Sequence, residues 1–234
     1  MKVLADVGEN QKIKSNSSID ELIGGGFEKG VLTQIYGPPS SGKSNIALSI
    51  AVNVAKNGKK VVYVDTEGGI SIDRIKQISG YDFPEVANNI IVFEPMDFQE
   101  QGDILRSLDV WLRKNKDDTD LLILDSAVAL YRVDDMKSYK LSKELRIQIQ
   151  LLSRIARKYG LVCILTNQIY NAFDDEGNNE VKAVGGDIIA YISKVIISLD
   201  RADEINQRTA TLIRHPSIEE GKKVTFSITS SGII

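Results

Sequence analysis

The chain holds one cysteine, Cys163, and one histidine, His215, among 234 residues. A single thiol cannot form an internal disulfide, and one cysteine with one histidine falls short of the ligands a structural zinc site needs. A lone histidine lying directly before Pro216 leaves no Ser-His-Asp or Cys-His hydrolase to build. Cys163 sits inside Leu161-Val162-Cys163-Ile164-Leu165 and reads as a small buried hydrophobe. Long apolar runs are missing too. The longest are strand-sized, well short of the roughly 20 residues a membrane helix needs. The stretch from Met1 to Ser18 lacks the apolar core of a secretory signal. These absences predict a cytoplasmic protein with no membrane partner. Positive charge is not in excess either, the formal net charge being −3. Any contact with nucleic acid must then come from a local patch, because the overall field mildly repels phosphate.

No internal repeat, low-complexity tract or Pro/Gly-rich linker divides the chain. The expectation is a short N-terminal segment over 1–16 and a single domain over 17–234. Within it, strand-like apolar runs alternate with helical segments, the pattern of a mostly parallel sheet flanked by helices. Strands are predicted at Leu32–Tyr36, Val61–Asp65, Ile90–Phe93, Leu121–Asp125 and Leu161–Thr166. Ser44–Asn57 is apolar nearly all round, so it reads as a deeply buried helix, with Gly58 at its end. Ile72–Ser79 reads as a short helix. Ile104, Leu105, Leu108, Trp111 and Leu112 recur at helical spacing, as do Leu145, Ile149, Leu152 and Ala156 in a helix that stops at Gly160. Beyond Thr166 the reading is strands only, at Val195–Leu199, Thr209–Ile213 and Val224–Ile228, which gives an antiparallel C-terminal edge.

Gly37-Pro38-Pro39-Ser40-Ser41-Gly42-Lys43-Ser44 fits the phosphate-loop pattern at every specified position, with a strand before it and a helix after it. Its glycines let successive backbone N–H groups face phosphate oxygens, and the following helix aims its positive end at the same point. Lys43 is placed to reach the β- and γ-phosphates of ATP, and the Ser44 hydroxyl to ligate Mg2+. Asp125 ends a buried strand, where a carboxylate holds the magnesium through its water shell. Glu67, just past another strand, either polarises the attacking water or is a solvated loop acid. Thr166-Asn167-Gln168 closes a buried strand where open α/β sheets place ligands, and Gln168 is placed to sense the γ-phosphate.

The order of these elements resembles the ATPase core of the RecA family, in its archaeal and eukaryotic branch. The resemblance rests on Ser18-Ile19-Asp20-Glu21-Leu22-Ile23-Gly24-Gly25-Gly26, the glycine loop, Asp65-Thr66-Glu67-Gly68, Leu124-Asp125-Ser126, Ala129-Leu130-Tyr131-Arg132, Thr166-Asn167-Gln168 and Gly185-Gly186. It implies a RecA-like core without the recombinases' N-terminal helical DNA-binding domain or their Phe-x-x-Ala linking segment. It also implies roles: Glu67 activates water, Arg74 stacks on adenine, Gln168 couples the nucleotide to a second DNA loop, and Arg132 starts the first. That first loop, from about Arg132 to Lys143, carries Lys137, Lys140 and Lys143, which either contact DNA or form a solvated helix face.

The departures shape the functional expectation. Ser138 and Glu144 stand where the recombinases carry further loop arginines. The second loop, Ile169–Val184, sets Asp174, Asp175, Glu176 and Glu180 against Lys182. Tyr191 replaces a histidine near the γ-phosphate, and Arg214 and Glu219 replace an aspartate and a proline of the segment that caps a neighbouring subunit's ATP. The resemblance therefore implies a nucleoid-associated accessory protein of homologous recombination. It would bind ATP, Mg2+ and DNA, hydrolyse ATP weakly in a DNA-dependent way, and partner the archaeal recombinase RadA or other recombination proteins, with homo-oligomers open. Two alternatives remain: a module for which ATP is only a conformational ligand, and a hexameric RecA-fold ATPase using Arg201, Arg208 or Arg214 in the neighbouring site.

Overall fold

The computed structural model describes residues 11–133, 139–173, 179–184 and 186–234. The chain opens with β1 (Lys12–Ile13), α1 (Ile19–Leu22) and β2 (Phe27–Glu28), and β3 (Leu32–Gly37) then leads into α2 (Lys43–Lys56). There follow β4 (Lys60–Asp65), α3 (Ile72–Ser79), a 3-10 turn at Gly80–Asp82, α4 (Phe83–Asn89), β5 (Ile90–Phe93), α5 (Phe98–Asn115) and β6 (Thr119–Asp125). Next come α6 (Ala129–Val133), α7 (Tyr139–Tyr159), β7 (Val162–Phe173), β8 (Asn179–Ala183) and α8 (Gly186–Ile192). The last elements are β9 (Val195–Arg201), β10 (Gln207–Arg214), β11 (Lys223–Thr229) and β12 (Gly232–Ile233).

The main sheet runs β12-β11-β10-β9-β3-β7-β6-β4-β5, with β8 paired to β7 alone. From β9 to β5 every described neighbour is parallel, and β9 through β12 are antiparallel. Strands buried on both faces explain why β6 and β7 read as unbroken apolar runs rather than alternating ones. On one side α2 packs with β3, β4 and β6 through Ile46, Ile50 and Val54, joined by Phe27, Tyr63 and Phe226. On the other side Leu105, Leu108 and Leu112 of α5 meet Leu145, Ile149 and Leu152 of α7 over Leu122, Leu124 and Cys163. Burial pushes the Cys163 thiol up, so it behaves as a hydrophobe. Trp111 packs at the margin of this second core.

The two outer helices cross closely at Gly102, where a Cβ would lie 2.8 Å from Gln148 Nε2. Gln101 Nε2 donates to Gln148 Oε1 at 2.8 Å, and Gln148 Nε2 donates to the Phe98 carbonyl at 3.2 Å. This buried amide pair fixes α5 against α7. Near the N-terminus Lys12–Ile13 pairs with Phe27–Glu28, and Asp20 accepts from Ser15 N, Ser15 Oγ and Asn16 N at 2.8, 2.8 and 2.9 Å.

Three segments depart from the sequence reading. Helices do not end at Thr166: Gly186–Ile192 forms α8, whose Ile189 is buried against the α7 side of the sheet. At seven residues it is too short for its period to stand out. The strand expected to stop at Thr166 continues to Phe173 and pairs with β8 from Ile169↔Ala183 to Phe173↔Asn179, so much of the segment read as a second loop is a hairpin. The far end of the segment read as a first loop, residues 139–143, is helical. The α7 period extends back through half-buried Leu141, which puts Lys140 and Lys143 on the helix face that was the alternative reading of these lysines.

Leu152 is fully buried in the α5/α7 core. Leu152→Ala should lower the unfolding free energy by about 2–5 kcal/mol, read as a lower urea midpoint with an unchanged slope.

Candidate functional site

Four neighbouring parallel strands, β3, β7, β6 and β4, end at one edge of the sheet. Their register pairs Gly37 with Gln168 and Asp65 with Asp125. The sequence-predicted glycine loop, carboxylates and glutamine therefore meet at a single locus. Gly37 is required there by close packing: a Cβ would lie 2.4 Å from the Leu199 carbonyl oxygen and 2.8 Å from Ser41 Oγ. The loop reverses through Ser40 and Gly42, both at positive φ, and α2 starts at Lys43. Successive N–H groups around such a reversal form an anion-binding concavity.

Lys43 Nζ donates to the loop's own carbonyls, Gly37 O at 3.0 Å and Pro38 O at 2.9 Å. Burial lowers its pKa, and the nearby carboxylates of Asp125 and Glu67 act in the opposite sense. Ser44 is exposed on the first turn of α2, and Pro38 and Pro39 lie on the outer arm of the loop. Ser41 Oγ is buried and lacks a hydrogen-bond partner among the described residues. A cradle that cannot accept a Cβ, an ammonium resting on backbone carbonyls, a hydroxyl at a helix start and two carboxylates opposite form a donor set that fits a magnesium-bound nucleoside triphosphate.

Asp125 is held from two sides. Tyr63 OH donates to Oδ2 at 2.6 Å, and Thr166 Oγ1 donates to Oδ1. Burial, reinforced by the surrounding carboxylates, pushes the Tyr63 hydroxyl well above its ordinary pKa, so it stays a donor. Asp65 anchors the next loop by accepting from Glu67 N at 3.1 Å and Ile70 N at 2.8 Å. That places Glu67 where Gln168 Nε2 donates to its Oε1 at 2.7 Å. Asn167 Nδ2 donates to Val184 O, and Val184 N donates to Gln168 O, both at 2.8 Å. Gln168 thus sits at the clipped base of the β7–β8 hairpin.

Tyr63 looks like an ordinary strand residue, and Thr166 reads only as part of the polar triplet; their alignment beside Asp125 reveals the role of both. Two arginines grip the glycine loop from outside: Arg201 Nη2 donates to Pro39 O and Arg208 Nε to Ser40 O, each at 3.2 Å. Arg214 Nη1 donates to Ala190 O at 2.5 Å, near the end of α8. The Arg74 guanidinium on α3 donates to Asn45 Oδ1 at 2.9 Å, Gln77 Oε1 at 3.1 Å, Ser230 O at 3.3 Å and Gly232 O at 3.4 Å. Lys140 and Lys143 are exposed on α7, away from this cluster in the sequence of elements. Arg132 lies in α6 with its side chain outside the described residues, as Lys137 is altogether. No group of three or more His, Cys, Asp or Glu residues forms a metal cluster among the described residues.

A central parallel sheet with helices on both faces, a glycine loop at its middle strand and antiparallel strands at its C-terminal edge defines a RecA-like core. The chain belongs to the Rad51 family, which it matches across residues 11–234. It is 63% identical, over 100% of both chains, to the DNA repair and recombination protein RadB of Methanobrevibacter smithii. The RadB protein of Methanothermobacter thermautotrophicus is 46% identical, again over 100% of each chain. A crystal structure of the RadB recombinase superposes with a TM-score of 0.81 at 36% identity, covering 94% of this chain and 98% of that one.

Tyr63→Phe keeps the packing but removes a donor to a buried carboxylate. It should lower stability by about 1.5–3 kcal/mol, measured by denaturant unfolding at neutral pH.

Proposed function

We propose that this chain is a DNA repair and recombination protein that binds ATP with magnesium and acts beside the archaeal recombinase RadA on DNA. The observation that carries the nucleotide part is the convergence at one sheet edge of the Gly37–Ser44 loop, Asp125 and the hydrogen-bonded pair Glu67–Gln168. The DNA-repair part is supported by the chain-long similarity to proteins named for that role.

In this reading backbone N–H groups from Gly37 to Ser44 hold the phosphates, and Lys43 leaves its carbonyl rests to neutralise them. Ser44 and Asp125 hold magnesium, which supplies charge neutralisation to the phosphate chain when bound. Tyr63 and Thr166 fix the Asp125 carboxylate so that it need not reorganise. Arg74 flanks the start of α2 beside the β11–β12 turn, a position suited to the adenine. Glu67 is the group that polarises water, and Gln168 competes for its carboxylate. Turnover therefore requires Gln168 to release Glu67, which supports slow hydrolysis and a switch-like use of ATP. Tyr191, 81% exposed, stands where the recombinases have a histidine near the γ-phosphate, and Arg214, engaged on Ala190 O, stands in the segment that caps a neighbour's ATP; both favour the same conclusion. The β7–β8 hairpin, clipped to Gln168 through Val184, would carry the nucleotide state toward DNA or a protein partner.

Lys43→Ala should abolish binding of a fluorescent ATP analogue in a titration, and undiminished binding would sink the site assignment. Chelating magnesium with EDTA should weaken binding of the triphosphate more than that of adenosine. Glu67→Gln should retain nucleotide affinity and lose hydrolysis measured as phosphate release with single-stranded DNA. Wild-type turnover in that variant would favour ATP as a conformational ligand alone.

A further inference from the structure

The inner face of α7 is accounted for by the core, but its outer face is not. Tyr139, Lys143, Arg146, Gln150, Arg154 and Arg157 follow one another at steps of four, three, four, four and three residues. At about 100° per residue these positions form one straight stripe along the helix. All six are exposed, Tyr139 at 87%. From Lys143 to Arg157 the stripe spans about 21 Å at 1.5 Å per residue.

Its charge is of one sign. The single acid of α7, Glu144, is turned toward α5, where Arg106 binds it. On α5, Asp103 is paired with Arg106, and Asp109 is neutralised by Lys158 at 2.7 Å and Arg113 at 3.1 Å, contacts that hold its carboxyl down at about 2. Lys143, Arg146, Arg154 and Arg157 make no ion pair among the described residues, although the chain as a whole is net negative. Structural surface charges in this molecule are otherwise commonly paired across elements, as Lys29 with Asp120 and Lys56 with Asp82 show. Four unpaired cations in line, with an amide between them and an aromatic ring at one end, match a polyanion that offers phosphates at regular intervals and bases that stack.

We infer that the outer face of α7 is a docking surface for the sugar-phosphate backbone of DNA, the strand following the stripe from Lys143 to Arg157. This rests on the DNA-binding reading above and names a surface for it. The arginines contact phosphates, Gln150 supplies a neutral hydrogen bond between them, and Tyr139 offers a stacking face. Binding here is sequence-independent and strongly salt-dependent.

The test is fluorescence anisotropy of a labelled single-stranded oligonucleotide titrated with the full chain across a salt series. Wild type is compared with Arg146→Ala/Arg154→Ala/Arg157→Ala. The triple variant should bind at least tenfold more weakly, with the slope of log K against log salt shallower by about 2, from three contacts at about 0.7 each. Its affinity for an ATP analogue should be unchanged, which shows that the fold survives. Equal affinity and slope in the two proteins would overturn the α7 surface while leaving DNA binding intact. Absence of DNA binding by wild type would overturn both readings. Wild-type binding of polyglutamate as tight as that of the oligonucleotide, lost in the triple variant, would reassign the face to an acidic protein segment.

Discussion

The site depends on how β3 is wedged between β7 and β9. Gly37 is in register with Gln168 on one side and presses against the Leu199 backbone on the other, with no room for a side chain. Because that approach is backbone to backbone, a side-chain adjustment cannot relieve a misfit. The glycine loop begins at this point, so its position is set by the strands beside it and not by the loop's own flexibility. Arg201 and Arg208 extend the control: neighbours in the β9–β10 pairing, they hold the carbonyls of Pro39 and Ser40. The antiparallel C-terminal strands thereby shape a glycine loop that is about 160 residues away in sequence.

A second dependence runs through the buried polar group formed by Tyr63, Asp125 and Thr166. A carboxylate at this depth is tolerable because both of its oxygens accept a hydrogen bond. The three residues come from β4, β6 and β7, so the network also reports whether those strands are aligned. Thr166 leads directly to Asn167 and Gln168, which are bonded to Val184 at the foot of the β7–β8 hairpin. A short chain of packed polar groups thus joins the carboxylate end of the sheet to the hairpin. The Glu67–Gln168 bond links the loop after β4 to the same chain of contacts.

Helix α7 illustrates how one element serves packing and surface chemistry at once. Leu145, Ile149, Leu152 and Ala156 point inward, and Gln148 ties the helix to α5. The residues between them are free of core duty, and they are where the unpaired arginines stand. The helix that supports the sheet therefore also presents a fixed row of cations, at no conformational cost beyond ordering the side chains themselves.

Much of this protein is legible in its residues taken in order. The glycine loop with a strand before and a helix after, Asp125 at the end of an apolar run, and the helices over Ile72–Ser79 and Leu145–Gly160 all follow from local chemistry. Glycine torsion, side-chain periodicity and apolar run length are properties of neighbours along the chain, so the order of residues is enough to determine them. The seven-residue α8 and the β7–β8 hairpin were not legible, because short elements are stabilised by what they pack against and carry too little period of their own. What Tyr63 and Thr166 do was hidden for a related reason. Their role comes from strand register, which brings residues 62 and 41 positions distant to the same carboxylate. By itself the sequence determined which residue types were available for phosphate and metal chemistry. Only the tertiary structure decided which of them meet, because that choice is made by backbone pairing between segments far apart in the chain.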